Sequence, residues 1–334
     1  MRKTLKSFSL TLVFILLSFL LIVIIKMSFL GKKINSEKIT PYILSSTHQK
    51  NVKLTYLGTA CFVIDYKGKQ FINDPFFSNP SLFSTLIGRM KQTPLSDLYA
   101  APLIKNVSMI SISHGHYDHC FDLAQVNQNQ ATLVADKSTL FQLNEEIKNN
   151  SSKIALDSNH YFKWIYSQDS CFRILPLPST HNPHFANVTL FKGSYTKPQP
   201  QLPRYLTQWK LGKTSYSFIV DVLDADTIVF RMAFLGGKIS NENYMHLSKI
   251  CNERNCDIMT TVFWKTKLNA PTLQSSISST KASIVILNHW NNFFRKNTKP
   301  IQELRSSKLD IELKKLNEEN MPVRVMLPYT TVEL

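Results

Sequence analysis

SISHGHYDHC, residues 111–120, packs three histidines and an aspartate into six consecutive positions, His114-Gly115-His116-Tyr117-Asp118-His119. The residues just before, Val107 to Ser113, read as a short buried strand that delivers the cluster at its C-terminal end. Side chains at a strand end are held firmly while staying reachable by substrate. His114 and His116 alternate at that end and can converge on one ion. Asp118 and His119 open the next segment, which reads as a helix containing Phe121, Leu123 and Val126. Two neighbouring ions fit this spacing better than one. Neutral imidazoles with one carboxylate suit zinc, and also iron or manganese, while the lack of thiolates argues for an open catalytic site over a closed structural one.

Around this motif the chain reads as strands. Leu54 to Leu57 and Cys61 to Tyr66 are followed by Lys67-Gly68-Lys69 and then Gln70 to Ile72, which is a hairpin signal closed by Asn73-Asp74-Pro75. Residues 76–105 carry Pro80, Pro94 and Pro102 and read as an irregular excursion across the surface.

The N-terminus is a different kind of sequence. Phe8 to Ile25 runs without a charge and is long enough to span a bilayer core. Arg2, Lys3 and Lys6 precede it, and no small-residue cleavage site follows before Lys32 and Lys33. One N-terminal transmembrane helix that stays on the mature chain is the expectation; a cleaved signal peptide and a buried core helix are the alternatives. Lys26, Lys32 and Lys33 answer the N-terminal charges, so charge bias does not orient the segment. Entry as an ordinary signal anchor would place the body outside the cytoplasm. The expected organisation is an anchor over residues 1–30, a polar linker over 31–50 and one domain carrying the metal site over 51–334.

Formal net charge is +16; residues 1–47 hold seven Lys/Arg against one Glu, so the remainder keeps about +10. A basic body on a membrane anchor favours anionic lipid or anionic substrates. Nucleic acid is not expected, because no basic helix interleaved with aromatics is present. The five cysteines, Cys61, Cys120, Cys171, Cys251 and Cys256, form no C-x-x-C pair and no disulfide framework, although one pairing stays open.

H-x-H-x-D-H after a strand, with Tyr56-Leu57-Gly58 and Asp74-Pro75 upstream, resembles the metallo-β-lactamase superfamily, whose fold is an α/β αββα sandwich. The stretches LTYLGTACFVIDYKGKQFINDPFF (54–77) and VILNHWNNFF (285–294) are similar to a branch holding ascorbate-phosphate lactonase-like proteins and the phospholipase D that hydrolyses N-acylphosphatidylethanolamine. The resemblance spans about residues 50 to 295. It implies two more histidine ligands. In LPLPSTHNPHF (175–185), His181 follows an apolar run and would join His114 and His116 on the first ion, with His184 as its competitor. In ASIVILNHWNNFF (282–294), His289 emerges from a buried strand and would share the second ion with Asp118 and His119. Asp74 would hydrogen-bond a ligand imidazole, or is simply a turn-forming Asp before proline. Trp290 and Phe293 are expected to pack, and His48, His160 and His246 to be surface or core residues.

One departure stands out. Di-metal members carry a bridging aspartate after a second hairpin, here SYSFIVDVLDADTIVFRMAFLGGKIS (215–240), and that position falls near Leu235-Gly236-Gly237, where no acid stands. Asp221, Asp224 and Asp226 come earlier, and Asp221 is the one candidate for a displaced bridge. The resemblance implies metal-dependent hydrolysis, in which one or two ions, zinc or else manganese or iron, lower the pKa of water and Asp118 orients the hydroxide. With the anchor and the basic body, a phosphodiester or lipid-like substrate is expected. The alternatives are a lactonase of the same fold and, given the missing acid, a non-catalytic metal-binding membrane module.

Overall fold

The computed structural model describes residues 11–19, 21–22, 32–97, 103–127, 131–150, 152–184, 188–263, 270–296, 300–304 and 308–334. In chain order its strands are β1 (Val52–Gly58), β2 (Cys61–Tyr66), β3 (Lys69–Asn73), β4 (Val107–Ser111), β5 (Thr132–Asp136), β6 (Lys153–Leu156) and β7 (Ile165–Tyr166). They continue as β8 (Phe172–Ser179), β9 (Ser215–Asp224), β10 (Thr227–Leu235), β11 (Ile258–Val262), β12 (Ile284–Asn288), β13 (Val323–Arg324) and β14 (Thr330–Glu333). Two seven-stranded sheets result, ordered β14-β1-β2-β3-β4-β5-β6 and β13-β12-β11-β10-β9-β8-β7. In each, an antiparallel half leads into a parallel half, at β3–β4 in the first and at β10–β11 in the second.

The alternation of side chains along a strand explains why these sheets pair. In β2, Phe62 and Ile64 enter the core between the sheets, while Cys61 and Val63 enter a second core against helices. β3 and β4 divide in the same way, Phe71 and Met109 inward, Ile72 and Ile110 outward. Phe234 of β10 meets Phe62 and Phe71 of the facing sheet at ring-centroid distances of 5.9 and 5.8 Å. Helices Asn241–Glu253 and Leu309–Glu318 bring Leu247, Leu309, Leu313 and Leu316 to the core on the other side. The α/β fold is of the metallo-β-lactamase type, helices outside two sheets. The hairpin read from Lys67-Gly68 is β2–β3, turning through φ of 49° and 76° at those residues.

Two expectations change, and a third lies largely outside the described residues. Residues 31–50 are not simply a linker: Ser36–Ile39 is a helical turn, Ile39 and Leu44 are buried, and Leu44 donates its N–H to the Val325 carbonyl at 3.0 Å. Short-range polarity hid that these apolar residues find partners near the C-terminus. The excursion over 76–105 is only partly irregular, since Ser81 caps a helix over Leu82–Leu86, and Phe76 and Phe77 are fully buried. Of the Phe8–Ile25 segment, residues 11–19 and 21–22 are helical and the rest lies outside the described residues. Among the described residues no helix is long and apolar enough to cross a membrane, so the expected transmembrane helix is not among the elements seen.

Candidate metal centre

The ends of β4, β8 and β12 converge at one edge of the paired sheets. His114 and His116 follow β4, and His116 is the N-cap of the helical turn Tyr117–Cys120 that carries Asp118 and His119. His181 lies two residues past β8 and His289 directly follows β12. Ligand-type atoms of His114, His116 and His181 all lie within 4.8 Å of one another, and so do those of Asp118, His119 and His289. The structure therefore brings together all six residues singled out in the sequence, as two triads.

The first triad is almost wholly buried. His114 Nε2 and His116 Nδ1 lie 3.1 Å apart, close to the separation of about 3.3 Å that a tetrahedral ion with metal–nitrogen bonds near 2.0 Å imposes. Burial pushes the pKa of His116 down to about 3 and that of His181 down to about 2, and also lowers His114. All three rings are thus neutral at pH 7, which leaves lone pairs free for a cation. In the second triad Asp118 Oδ2 stands 3.4 Å from His289 Nε2 and 3.8 Å from His119 Nε2. Burial alone would raise Asp118, but His119 and His289 outweigh it and keep the carboxylate ionised. Three neutral imidazoles on one side, and two imidazoles with a carboxylate on the other, suit a borderline metal such as zinc.

A second layer of contacts fixes these side chains. Asp74, at φ 47°, receives the Ser113 N–H at 2.7 Å and the His119 Nδ1–H at 2.8 Å. Of the two readings of Asp74, the imidazole partner is the one seen. Ser113 Oγ donates to Asp74 Oδ2 at 2.8 Å and stands 3.0 Å from His114 Nδ1. Gly115 has no room for a side chain, because a Cβ would lie 2.4 Å from the Lys210 carbonyl. Gln142 braces the same place, donating to the Gly115 carbonyl at 2.6 Å and accepting the Lys210 N–H at 2.8 Å. His289 sits at φ 62°, its N–H bonded to the Thr59 carbonyl at 2.7 Å. Asn291 in turn accepts the Thr59 N–H at 2.8 Å. Such strained backbone at a site is sustained by its surroundings. Ser113 and Asn291 were not singled out in the sequence. Ser113 could have been, as the hydroxyl next to the motif, whereas nothing local marks Asn291.

The remaining expectations resolve as follows. His184 stacks on His181, centroids 4.7 Å apart and planes 18° apart, and lies outside both triads while lining the same cavity. Trp290 is fully buried, and the Phe293 ring lies 5.1 Å from that of His289. His48 pairs with Glu333, His160 with Asp157, and His246 stacks on Phe162. Asp221 is no displaced bridge: it is fully buried in an ion pair, 2.5 Å from Arg231 Nε and 2.9 Å from Arg173 Nε. Asp224, read from the sequence as a turn residue, is the last residue of β9 and is bonded to Lys67 and Tyr66. Gly236 and Gly237, where a bridging acid was expected, do line the cavity. The cavity holds about 80 Å³ and is also walled by Ser179, Ser215, Val262 and Phe293.

Comparison with known proteins agrees with this geometry. Residues 53–187 match the beta-lactamase superfamily domain. No curated protein sequence matches the chain. Among solved structures, the chain is similar to a metallo hydrolase from the hyperthermophilic archaeon Ignicoccus hospitalis, with 19% identity, a TM-score of 0.52 and coverage of 84% of this chain and 97% of that one. It is also similar to an isothiocyanate hydrolase from Delia radicum gut bacteria, with 14% identity, a TM-score of 0.50 and coverage of 84% and 98%. A possible metal-dependent hydrolase from Veillonella parvula gives 12% identity, a TM-score of 0.50 and coverage of 84% and 99%. At these identities the likeness is one of fold. The domain match covers residues 53–187, less than half of the chain, and with the paired sheets it gives a fold of the metallo-β-lactamase type, with which a metal-dependent hydrolase of undetermined substrate is consistent.

Proposed function

We propose that the chain is a metal-dependent hydrolase that acts on a phosphodiester or lipid-like substrate. The observation that carries this is the pair of triads at one cavity, into which, among the described residues, Asp118 alone sends a carboxylate. A divalent cation held at either triad, or one at each, would leave a cavity with a single lining carboxylate positive, which favours an anionic reacting group over a neutral lactone. A metal held by His114, His116 and His181, with or without a second at Asp118, His119 and His289, would supply Lewis acidity and draw the pKa of water towards about 7.

The protein's own groups then position and exclude. Ionised Asp118 accepts a hydrogen bond from the attacking water and orients it. His184 receives the Leu190 N–H on Nδ1 at 3.1 Å, so its neutral ring carries the proton on Nε2 and can donate it to a substrate oxygen. Val262 and Phe293 keep the cavity wall apolar, and the small volume admits the reacting group while the rest of the substrate stays outside.

The lipid-like substrate goes with membrane anchoring through the N-terminal segment. Support comes from residues 11–19, where Leu12, Phe14, Leu16 and Phe19 are each at least half exposed on one helix. Such a surface is one that lipid can cover. Under this reading the domain lies outside the cytoplasm.

The test is turnover of bis(p-nitrophenyl) phosphate against a generic lactone, before and after metal removal, with metal content measured alongside. Phosphodiester turnover that needs metal and is lost in His116→Ala is the expected result. Lactone turnover alone would move the reading to a lactonase, and turnover of neither, with metal bound, to a non-catalytic module.

A further inference from the structure

Ser179 closes β8 and Ser215 opens β9, and the two face each other as a direct antiparallel pair. Both line the cavity that holds the triads. Ser215 is 5% exposed, and the Oγ atoms of both serines are buried without a hydrogen-bond partner. A buried hydroxyl left unpaired costs free energy, and two side by side at a cavity wall call for a ligand. The neighbouring backbone keeps them uncovered. A Cβ at Gly237 would lie 2.9 Å from Ser179 Oγ and 2.7 Å from the Thr180 carbonyl, so no side chain can project there.

The geometry points to Ser179 and Ser215 as a subsite that donates hydrogen bonds to a non-reacting oxygen of a phosphoryl group. The inference deepens the hydrolase reading above and rests on it. A lactone or simple ester presents one carbonyl oxygen, which the metals would take. A phosphodiester presents two non-bridging oxygens, and the second needs donors of its own. Serine hydroxyls supply them without adding negative charge, which a carboxylate at Gly236 or Gly237 would do.

The test is calorimetric titration of inorganic phosphate into the zinc-loaded full chain in detergent, with acetate as a flat anion for comparison. Ser179→Ala/Ser215→Ala should weaken phosphate about a hundredfold, the loss of two hydrogen bonds to a charged group. Acetate affinity and zinc content should be unchanged and the melting temperature should hold or rise, because alanine removes a buried unpaired hydroxyl and leaves no new group unsatisfied. Ser179→Ala alone, the milder variant, should give about tenfold. Phosphate affinity within twofold of wild type, equal weakening of both anions, or no phosphate binding by the wild type would each overturn the subsite. If the wild type binds phosphate through these serines yet turns over no phosphodiester, the hydrolase reading fails and the subsite stands. Turnover in the wild type with phosphate binding unaffected by the double variant would remove the subsite alone.

Discussion

The carboxylate of Asp74 joins the strand carrying the first two histidines to the helical turn carrying His119: Oδ1 accepts the Ser113 N–H at 2.7 Å and Oδ2 the His119 ring N–H at 2.8 Å. The bond fixes the proton of His119 on Nδ1 and turns Nε2 towards Asp118. Burial alone would lower the His119 pKa; Asp74 and Asp118 outweigh it and raise it. A carboxylate behind a ligand imidazole sharpens orientation and basicity.

Asp74→Asn should therefore weaken metal binding at the second triad about 10- to 100-fold. Asparagine tolerates the left-handed backbone at this residue, φ 47°, so strain is not the cause of any loss. Metal titration of the dialysed variant reads the effect. Unchanged affinity at both triads would show that Asp74 only shapes the turn.

Asp221→Asn should cost stability and no metal. Arg173, Asp221 and Arg231 are direct neighbours on β8, β9 and β10. Arg231 is 1% exposed and also holds the Ile250 and Arg254 carbonyls at the end of helix Asn241–Glu253. Removing the charge partner of a buried arginine costs about 3–5 kcal/mol. Denaturant unfolding should show that loss with the metal count of the wild type, and a variant that folds normally but drops an ion would contradict the assignment.

These two acids show what could be read from the sequence and what could not. His114 to His119 are consecutive, so strand end, spacing and chemistry were visible together, and His181 and His289 each followed a recognisable apolar run. The core was legible for the same reason, since β2 and β3 alternate cleanly between two apolar faces. Asp221 was not legible, because its partners sit 10 and 48 residues away and only sheet register brings them opposite it. Ile39 and Leu44 were obscured likewise, in a polar stretch whose packing partners lie near residue 325. Ser179 and Ser215 become informative only when both unpaired hydroxyls are found at one wall.

Asp122 gives a pH dependence. It is fully buried and accepts the N–H groups of Phe77 and Ser78 at 2.6 and 2.7 Å, yet burial pushes its carboxyl up to about 6 from the usual 3.8. A pKa raised by folding means that the protonated form adds stability, present in full below about pH 4 and lost as pH rises through about 6. The shift corresponds to about 3 kcal/mol. Asparagine stays neutral, so the stability difference between wild type and Asp122→Asn should move in favour of the variant between pH 4.5 and 7.5. Taking the difference cancels the histidines, which titrate in both proteins. Urea unfolding at the two pH values reads it, and a difference independent of pH would show that Asp122 ionises normally.

Gly236 offers a way to restore what the cavity lacks. Among the described residues no carboxylate besides Asp118 lines the cavity, so the second triad would hold an ion through Asp118, His119 and His289 and the first through three imidazoles. Binding should be unequal, with about one ion per chain surviving dialysis, since His114 and His116 already stand at the 3.1 Å spacing of a zinc site whereas Asp118 Oδ2 lies 3.8 Å from His119 Nε2. A Cβ at Gly236 meets no atom within 4 Å, and Gly236 lines the cavity, whereas Gly237 is blocked by the Thr180 carbonyl. Gly236→Asp should therefore fold and raise the retained metal from about one ion towards two, read by elemental analysis after dialysis. It should also weaken phosphate binding, because the added negative charge opposes the anion that the Ser179 and Ser215 wall receives. Two equally tight ions in the wild type would mean that another group already bridges the triads, and Gly236→Asp would then leave the metal content unchanged.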